Sequence, residues 1–211
     1  MDKQIKFKKQ YEDRFAELDH DDVQMRKILD RIFKYKVQPH FGDHDLIGIG
    51  NEQQKIYHVC YDCNIELWSK IFEVVKRLGE RCQVNLDWDA IKHVTKFTYI
   101  WMPPGGSLKP HVAHSLRAFS AFNIPLRGVT KLDMYDDNLN HLRTEEYTNP
   151  YFLNVYKPHG VENDCDQERL ILKTHMQVVP MQMLMHSYKS DKTISPFNIE
   201  MPWQGRKTGE L

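Results

Sequence analysis

Pro103-Pro104-Gly105-Gly106-Ser107-Leu108-Lys109-Pro110-His111-Val112-Ala113-His114 is the run whose reading decides the fold. Its counterpart downstream is Asn154-Val155-Tyr156-Lys157-Pro158-His159-Gly160-Val161-Glu162-Asn163, followed by Glu168-Arg169. His111 and His159 each follow a proline and stand at the edge of a short β-type segment. The glycines permit a sharp turn ahead of His111, and the prolines stiffen the approach to both rings. Two imidazoles on neighbouring strands can bind one divalent transition metal. Arg169 lies ten residues past His159, at the start of the next strand, where a guanidinium can clamp a carboxylate with two parallel hydrogen bonds. The chain holds 11 histidines, so the shared context, rather than either ring alone, points to a metal. The plainer alternative is two structural histidines and an arginine paired with Glu168 or Asp166.

Outward from this stretch the chain is β-rich. Segments near 82–88, 94–102, 107–112, 117–126, 129–136, 142–147, 151–156, 159–162 and 168–178 are short and rich in β-branched and aromatic residues. Turn residues such as Arg127-Gly128, Asp136-Asp137-Asn138 and Asn149-Pro150 separate them. Many short strands at this spacing predict a sandwich or barrel. Ahead of them lie two amphipathic helices. One starts at Asp21 or Asp22, with Met25, Ile28, Leu29, Ile32 and Phe33 at helical spacing. The other covers 63–78, with Ile65, Trp68, Ile71, Phe72, Val75 and Leu78 on one face and Gly79 as its C-terminal cap. The expected architecture is mainly β: a jelly roll buttressed by two helices. It forms one domain over 1–211, with a helical support over 1–80, a jelly-roll core over 82–178 and a polar tail over 189–211. Residues 1–20 are expected to be a solvated arm, and Phe197 and Trp203 could pin the tail.

Composition narrows the function classes. Of 211 residues, 41% are hydrophobic and 27% charged, as in ordinary globular proteins. Basic and acidic residues balance at 29 each, which leaves no overall field to draw in nucleic acid or anionic lipid. No apolar run is long enough to span a bilayer, and no apolar targeting segment opens the chain, so a cytoplasmic setting is expected. Four cysteines at these spacings do not form a disulfide framework. His58, Cys60, Cys63 and Cys82 could hold zinc, but a single Cys-x-x-Cys with no second pair favours plain thiols.

Taken together, Pro-Gly-Gly-x-x-x-Pro-His, the strand pairs after it, Asn-x-x-x-Pro-His-Gly-Val-x-Asn and an arginine ten residues on resemble the Fe(II)/2-oxoglutarate-dependent oxygenases. The resemblance covers about residues 94–178 and rests on joint order and spacing. It implies a double-stranded β-helix (cupin-like jelly roll) and a C–H hydroxylation coupled to decarboxylation of 2-oxoglutarate to succinate. It further implies His111 and His159 as iron ligands and Arg169 as partner of the far carboxylate of 2-oxoglutarate. Tyr99 and Asn123 would be further cosubstrate contacts, with Arg117 an alternative anchor. Partners would be molecular oxygen and a small-molecule or side-chain substrate, met by residues 40–60, 137–150 and the tail.

One position departs from the pattern. Most members carry a carboxylate ligand two residues after the first histidine; here that residue is Ala113. Three readings compete. Water stands in for the carboxylate, which resembles the aspartyl/asparaginyl β-hydroxylases; chloride or bromide fills the place, as in the non-haem iron halogenases; or iron binding is lost and the fold is a silent binding module. A cupin-type metal enzyme without 2-oxoglutarate would leave Arg169 without a role. If the strand continues through 111–114, His114 faces away from His111 and is a poor substitute ligand; if the strand ends at His111, the geometry is open to it. Asp133, Asp136 and Asp137 read as turn or surface carboxylates.

Overall fold

The computed structural model describes residues 14–38, 54–59, 61, 64–112, 120–128, 130–177 and 179–196. Ten strands run through it. They are β1 (Phe15–Glu17), β2 (Lys55–Val59), β3 (Thr95–Met102), β4 (Ser107–His111), β5 (Ser120–Arg127), β6 (Thr130–Tyr135), β7 (His141–Tyr147), β8 (Tyr151–Leu153), β9 (His159–Glu162) and β10 (Arg169–Met176). Three helices accompany them: α1 (Val23–Ile32), α2 (Ile65–Arg81) and α3 (Met181–Ser187). The strands form two antiparallel sheets, in the orders β1-β8-β5-β10-β3-β2 and β4-β9-β6-β7. Neither sheet follows chain order: from β3 to β10 the chain crosses between the sheets at every step but the β6–β7 hairpin, as in a double-stranded β-helix.

Two apolar cores divide the six-stranded sheet by face. Phe97, Tyr99, Phe122, Ile124, Leu170 and Leu172 point outward and pack with Leu29, Trp68, Ile71, Phe72 and Val75 of the helices. Met102, Ala121, Tyr151 and Leu153 point inward and meet Leu132, Met134, Tyr147 and Val161 of the smaller sheet. The period-two alternation of β3, β5 and β10 therefore gives each of these strands a helix-facing and a barrel-facing set.

Asp22 caps α1 by accepting from the amides of Gln24 and Met25, each at 3.0 Å, and Asn64 caps α2 through the Leu67 amide at 3.0 Å. The helix stripes hold with two corrections. Ile65 is 54% exposed and Ile28 39% exposed, so neither belongs to the buried face. Gly79 does not end α2, which continues to Arg81; it is glycine because a Cβ there would lie 2.2 Å from the Trp88 ring. After Ile32 the helix widens to a π-turn over Phe33–Val37.

Other expectations change more. The segment 82–88 is no strand; it makes isolated bridges, Val84 to Tyr188 and Leu86 to Ile194. Residues 14–18 are not a solvated arm, since β1 pairs with β8 and buries Phe15, Ala16 and Leu18. The tail is docked as far as Ile194, whose amide donates to the Asn85 carbonyl at 2.8 Å. Phe197 and Trp203 lie outside the described residues, as do Cys60 and Cys63; Cys82 is a buried free thiol. Among the described residues no helix is long and apolar enough to cross a membrane.

Candidate active site

The two histidines meet because of a bulge. On β9, His159 and Val161 alternate toward the space between the sheets. On β4, Leu108 pairs with Val161 and His111 with His159, so three steps along β4 match two along β9. The irregularity contains Pro110, which cannot donate to the ladder. Without the extra residue, position 110 would face inward and His111 outward. With it, the His111 and His159 rings face each other with centroids 4.5 Å apart.

The turns that carry both strands are stitched together by Asn163. Its side-chain amide donates to the carbonyls of Met102 (3.3 Å), Pro103 (2.9 Å) and Gln167 (2.9 Å). Its backbone exchanges hydrogen bonds with Gly105 and Gly106, each 2.8 Å. The Pro-Pro-Gly-Gly turn and the end of the His-Gly-Val-Glu-Asn run are thus one assembly.

Both rings are oriented by backbone. His111 Nδ1 lies 3.0 Å from the Lys109 carbonyl and His159 Nδ1 2.8 Å from the Lys157 carbonyl. A carbonyl only accepts, so each Nδ1 carries the proton and each neutral ring keeps its lone pair on Nε2. Burial, then His111 and Lys173, push the His159 imidazole down to about 3, which keeps it neutral. Imidazole nitrogens bound at about 2.1 Å and at right angles about one divalent ion put ring centroids roughly 4.5 Å apart, so the pair fits a shared metal. No third His, Cys, Asp or Glu joins it among the described residues. Ala113, His114 and Arg117 lie outside them.

The histidines line a small cavity of about 40 Å³, open to solvent, between the sheets. Arg169, expected as the carboxylate anchor, lines the same cavity and is 2% exposed. It does not pair with Glu168, whose carboxylate accepts from Arg127 and from Trp101 Nε1. Instead Arg169 hydrogen-bonds the Tyr151 phenol, to which Tyr147 also donates at 2.7 Å. Burial, first of all, pushes the Tyr151 phenol well up, so it stays protonated. Asn123, expected as a cosubstrate contact, also lines the cavity.

Tyr99 does not. Its neighbours Ile100 and Met102 face inward, and the one-residue offset turns Tyr99 to the helix side, where its hydroxyl donates to the Leu29 carbonyl at 3.2 Å. It is a core residue rather than a cosubstrate contact. Of the segments expected to meet substrate, 40–60 contributes Gln54 to the cavity wall.

Sequence reasoning missed Tyr151 and Lys173. Lys173 is 8% exposed and lines the cavity four residues beyond Arg169. The signal was present: residues four apart on one strand share a face. Burial first, and then Arg169, lower its ammonium to about 8.

No family model and no curated protein sequence matches this chain. Solved structures do match. A prolyl-4-hydroxylase from Pseudomonas putida aligns with a TM-score of 0.51 and 11% identity, over 83% of this chain and 100% of the hydroxylase. Oxalate decarboxylase from Bacillus subtilis aligns with a TM-score of 0.38 and 13% identity, over 61% of this chain. The match spans 27% of the decarboxylase. At these identities the likeness is one of fold: the chain is a cupin-like double-stranded β-helix of the kind found in the prolyl hydroxylase.

Proposed function

We propose that this protein is an Fe(II)/2-oxoglutarate-dependent oxygenase that hydroxylates an unactivated C–H bond of a small molecule or side chain. The observation that carries the reading is the oriented His111–His159 pair in one cavity with the buried Arg169. When bound, Fe(II) and 2-oxoglutarate supply, with dioxygen, an oxidative decarboxylation to succinate and carbon dioxide that drives oxygen insertion into the C–H bond.

The chain's own residues do the rest. His111 and His159 present Nε2 lone pairs fixed by Nδ1–H bonds to backbone. Arg169 takes the far carboxylate of 2-oxoglutarate. Tyr151 accepts from both Arg169 and Tyr147, so its own hydroxyl proton is available to that carboxylate. Leu108, Leu132, Val161 and Ile171 wall the cavity with apolar surface that restricts water. Halogenation is the second reading, carried by Ala113: a chloride would occupy the place of the carboxylate ligand. Free thiols at Cys82 and Cys165 support a reducing, cytoplasmic setting.

The test is succinate formation from 2-oxoglutarate by the Fe(II)-loaded protein in air, with and without chloride. Succinate is expected from the wild type and not from His159→Ala. Arg169→Met is expected to raise the half-saturating 2-oxoglutarate concentration at least tenfold. Folded wild-type protein that makes no succinate overturns the reading in favour of a silent binding module.

A further inference from the structure

Lys173 sits in the barrel without an acidic partner among the described residues. Its neighbours across the six-stranded sheet are Thr98 on β3 and Asn123 on β5, and Asn123 is in turn opposite Tyr151. No aspartate or glutamate is among the described residues that line the cavity. Asn123 is 1% exposed, and neither its side-chain oxygen nor its nitrogen has a hydrogen-bond partner among the described residues. Buried polar groups are normally paired, and a buried ammonium without a counter-charge is expensive. The two anomalies are cross-strand neighbours on one wall.

The charges in the site sharpen the point, on the proposed function as premise. The two carboxylates of 2-oxoglutarate offset the two charges of the iron. Arg169 and Lys173 then remain in the cavity, and Ala113 brings no carboxylate where one is usual. Arg169 can be neutralised through its contact with the cosubstrate's far carboxylate only if the metal's charge is met elsewhere. Two positive charges are left over in either accounting, so at least one further anion is called for.

We infer that Lys173 and Asn123 form a second anion subsite, which receives a carboxylate carried by the primary substrate while Arg169 holds the cosubstrate. The ammonium gives the charge, and the Asn123 amide N–H gives a directed hydrogen bond to one carboxylate oxygen. The substrate class is therefore a carboxylic acid, bound with its acid group against β10 and β5 and its reacting carbon toward the histidines. A neutral substrate would leave both buried groups unanswered.

Acetate serves as the probe, with acetamide as its neutral counterpart. Each is titrated anaerobically into the protein loaded with Fe(II) and 2-oxoglutarate, and into the metal-free protein, with the melting temperature as readout. Wild type is expected to show saturable stabilisation by acetate and none by acetamide. Lys173→Met should weaken the acetate response at least tenfold and change 2-oxoglutarate affinity less than threefold; Lys173→Arg should retain the response. Asn123→Leu should weaken it severalfold, and stands in if Lys173→Met does not fold. An acetate response untouched by these variants overturns the subsite. So does a Lys173→Met protein that loses 2-oxoglutarate as Arg169→Met does, which would make Lys173 part of the cosubstrate grip. If wild type binds no 2-oxoglutarate, the oxygenase reading fails separately, and the metal-free titration alone then decides whether Lys173 and Asn123 bind an anion.

Discussion

His111 and His159 stand directly opposite each other across the β4–β9 ladder, 4.5 Å between ring centroids, because a bulge between Leu108 and His111 turns the first ring inward. Each ring is held through its Nδ1 by a backbone carbonyl, which leaves Nε2 of both for a metal. Removing either ring leaves a single ligand. His111→Ala and His159→Ala are each expected to weaken Fe(II) affinity at least about 100-fold while leaving the melting temperature of the metal-free protein nearly unchanged. Anaerobic metal titration checks both.

Lys173 should cost the empty protein stability. Its folded-state value is lowered to about 8 from an ordinary 10.5, by burial and then by Arg169. Between those two values the unfolded chain keeps the proton and the native chain does not, so stability rises with pH across that window. Lys173→Met is expected to stabilise the ligand-free protein at pH 7 by about 1–3 kcal/mol and to flatten the alkaline rise. Urea denaturation at several pH values reads both effects.

Asp19 ties the N-terminal strand to the tail. Partial burial works to raise its carboxyl, but hydrogen bonds from Lys189, Tyr188 and His20 outweigh it and hold the group at about 2. A depressed carboxyl contributes stability above its unfolded value of 3.8 and loses that contribution as pH falls toward 2. The docked segment 188–196 should therefore loosen in acid before the barrel does. Asp19→Asn should show the same loosening at neutral pH, read by hydrogen exchange at the Lys189 and Ile194 amides.

Asn163 bridges three carbonyls of the turns that carry the histidine strands. Asn163→Ala strands those acceptors and is expected to cost about 2–4 kcal/mol in chemical denaturation. Gly79→Ala drives a methyl into the Trp88 ring and should cost about 1–3 kcal/mol, without altering metal affinity.

Much of this was legible in the sequence, for definite reasons. Short β-type runs between turn residues marked the eight strands β3 to β10 because period-two patterning and Gly/Pro punctuation are local. The order of proline, histidine and arginine pointed to His111, His159 and Arg169 as neighbours, and the ladder brings all three to one cavity. What the sequence hid depended on register. Tyr99 and Ile100 are one residue apart and face opposite sides, and only the sheet pairing says which is inside. The bulge before His111 is equally invisible until β4 is paired with β9. Phe15 and Leu18 looked solvated because their partners, β8 and the Pro150 carbonyl, lie far along the chain.

The central claim is that His111, His159 and Arg169 hold Fe(II) and 2-oxoglutarate in one cavity. The most direct measurement is the visible iron-to-ketoacid charge-transfer band, recorded anaerobically as 2-oxoglutarate is titrated into the Fe(II)-loaded protein. A saturable band is expected in the wild type, lost in His159→Ala and shifted to at least tenfold higher 2-oxoglutarate in Arg169→Met. Folded wild-type protein that binds Fe(II) yet develops no band would contradict the claim.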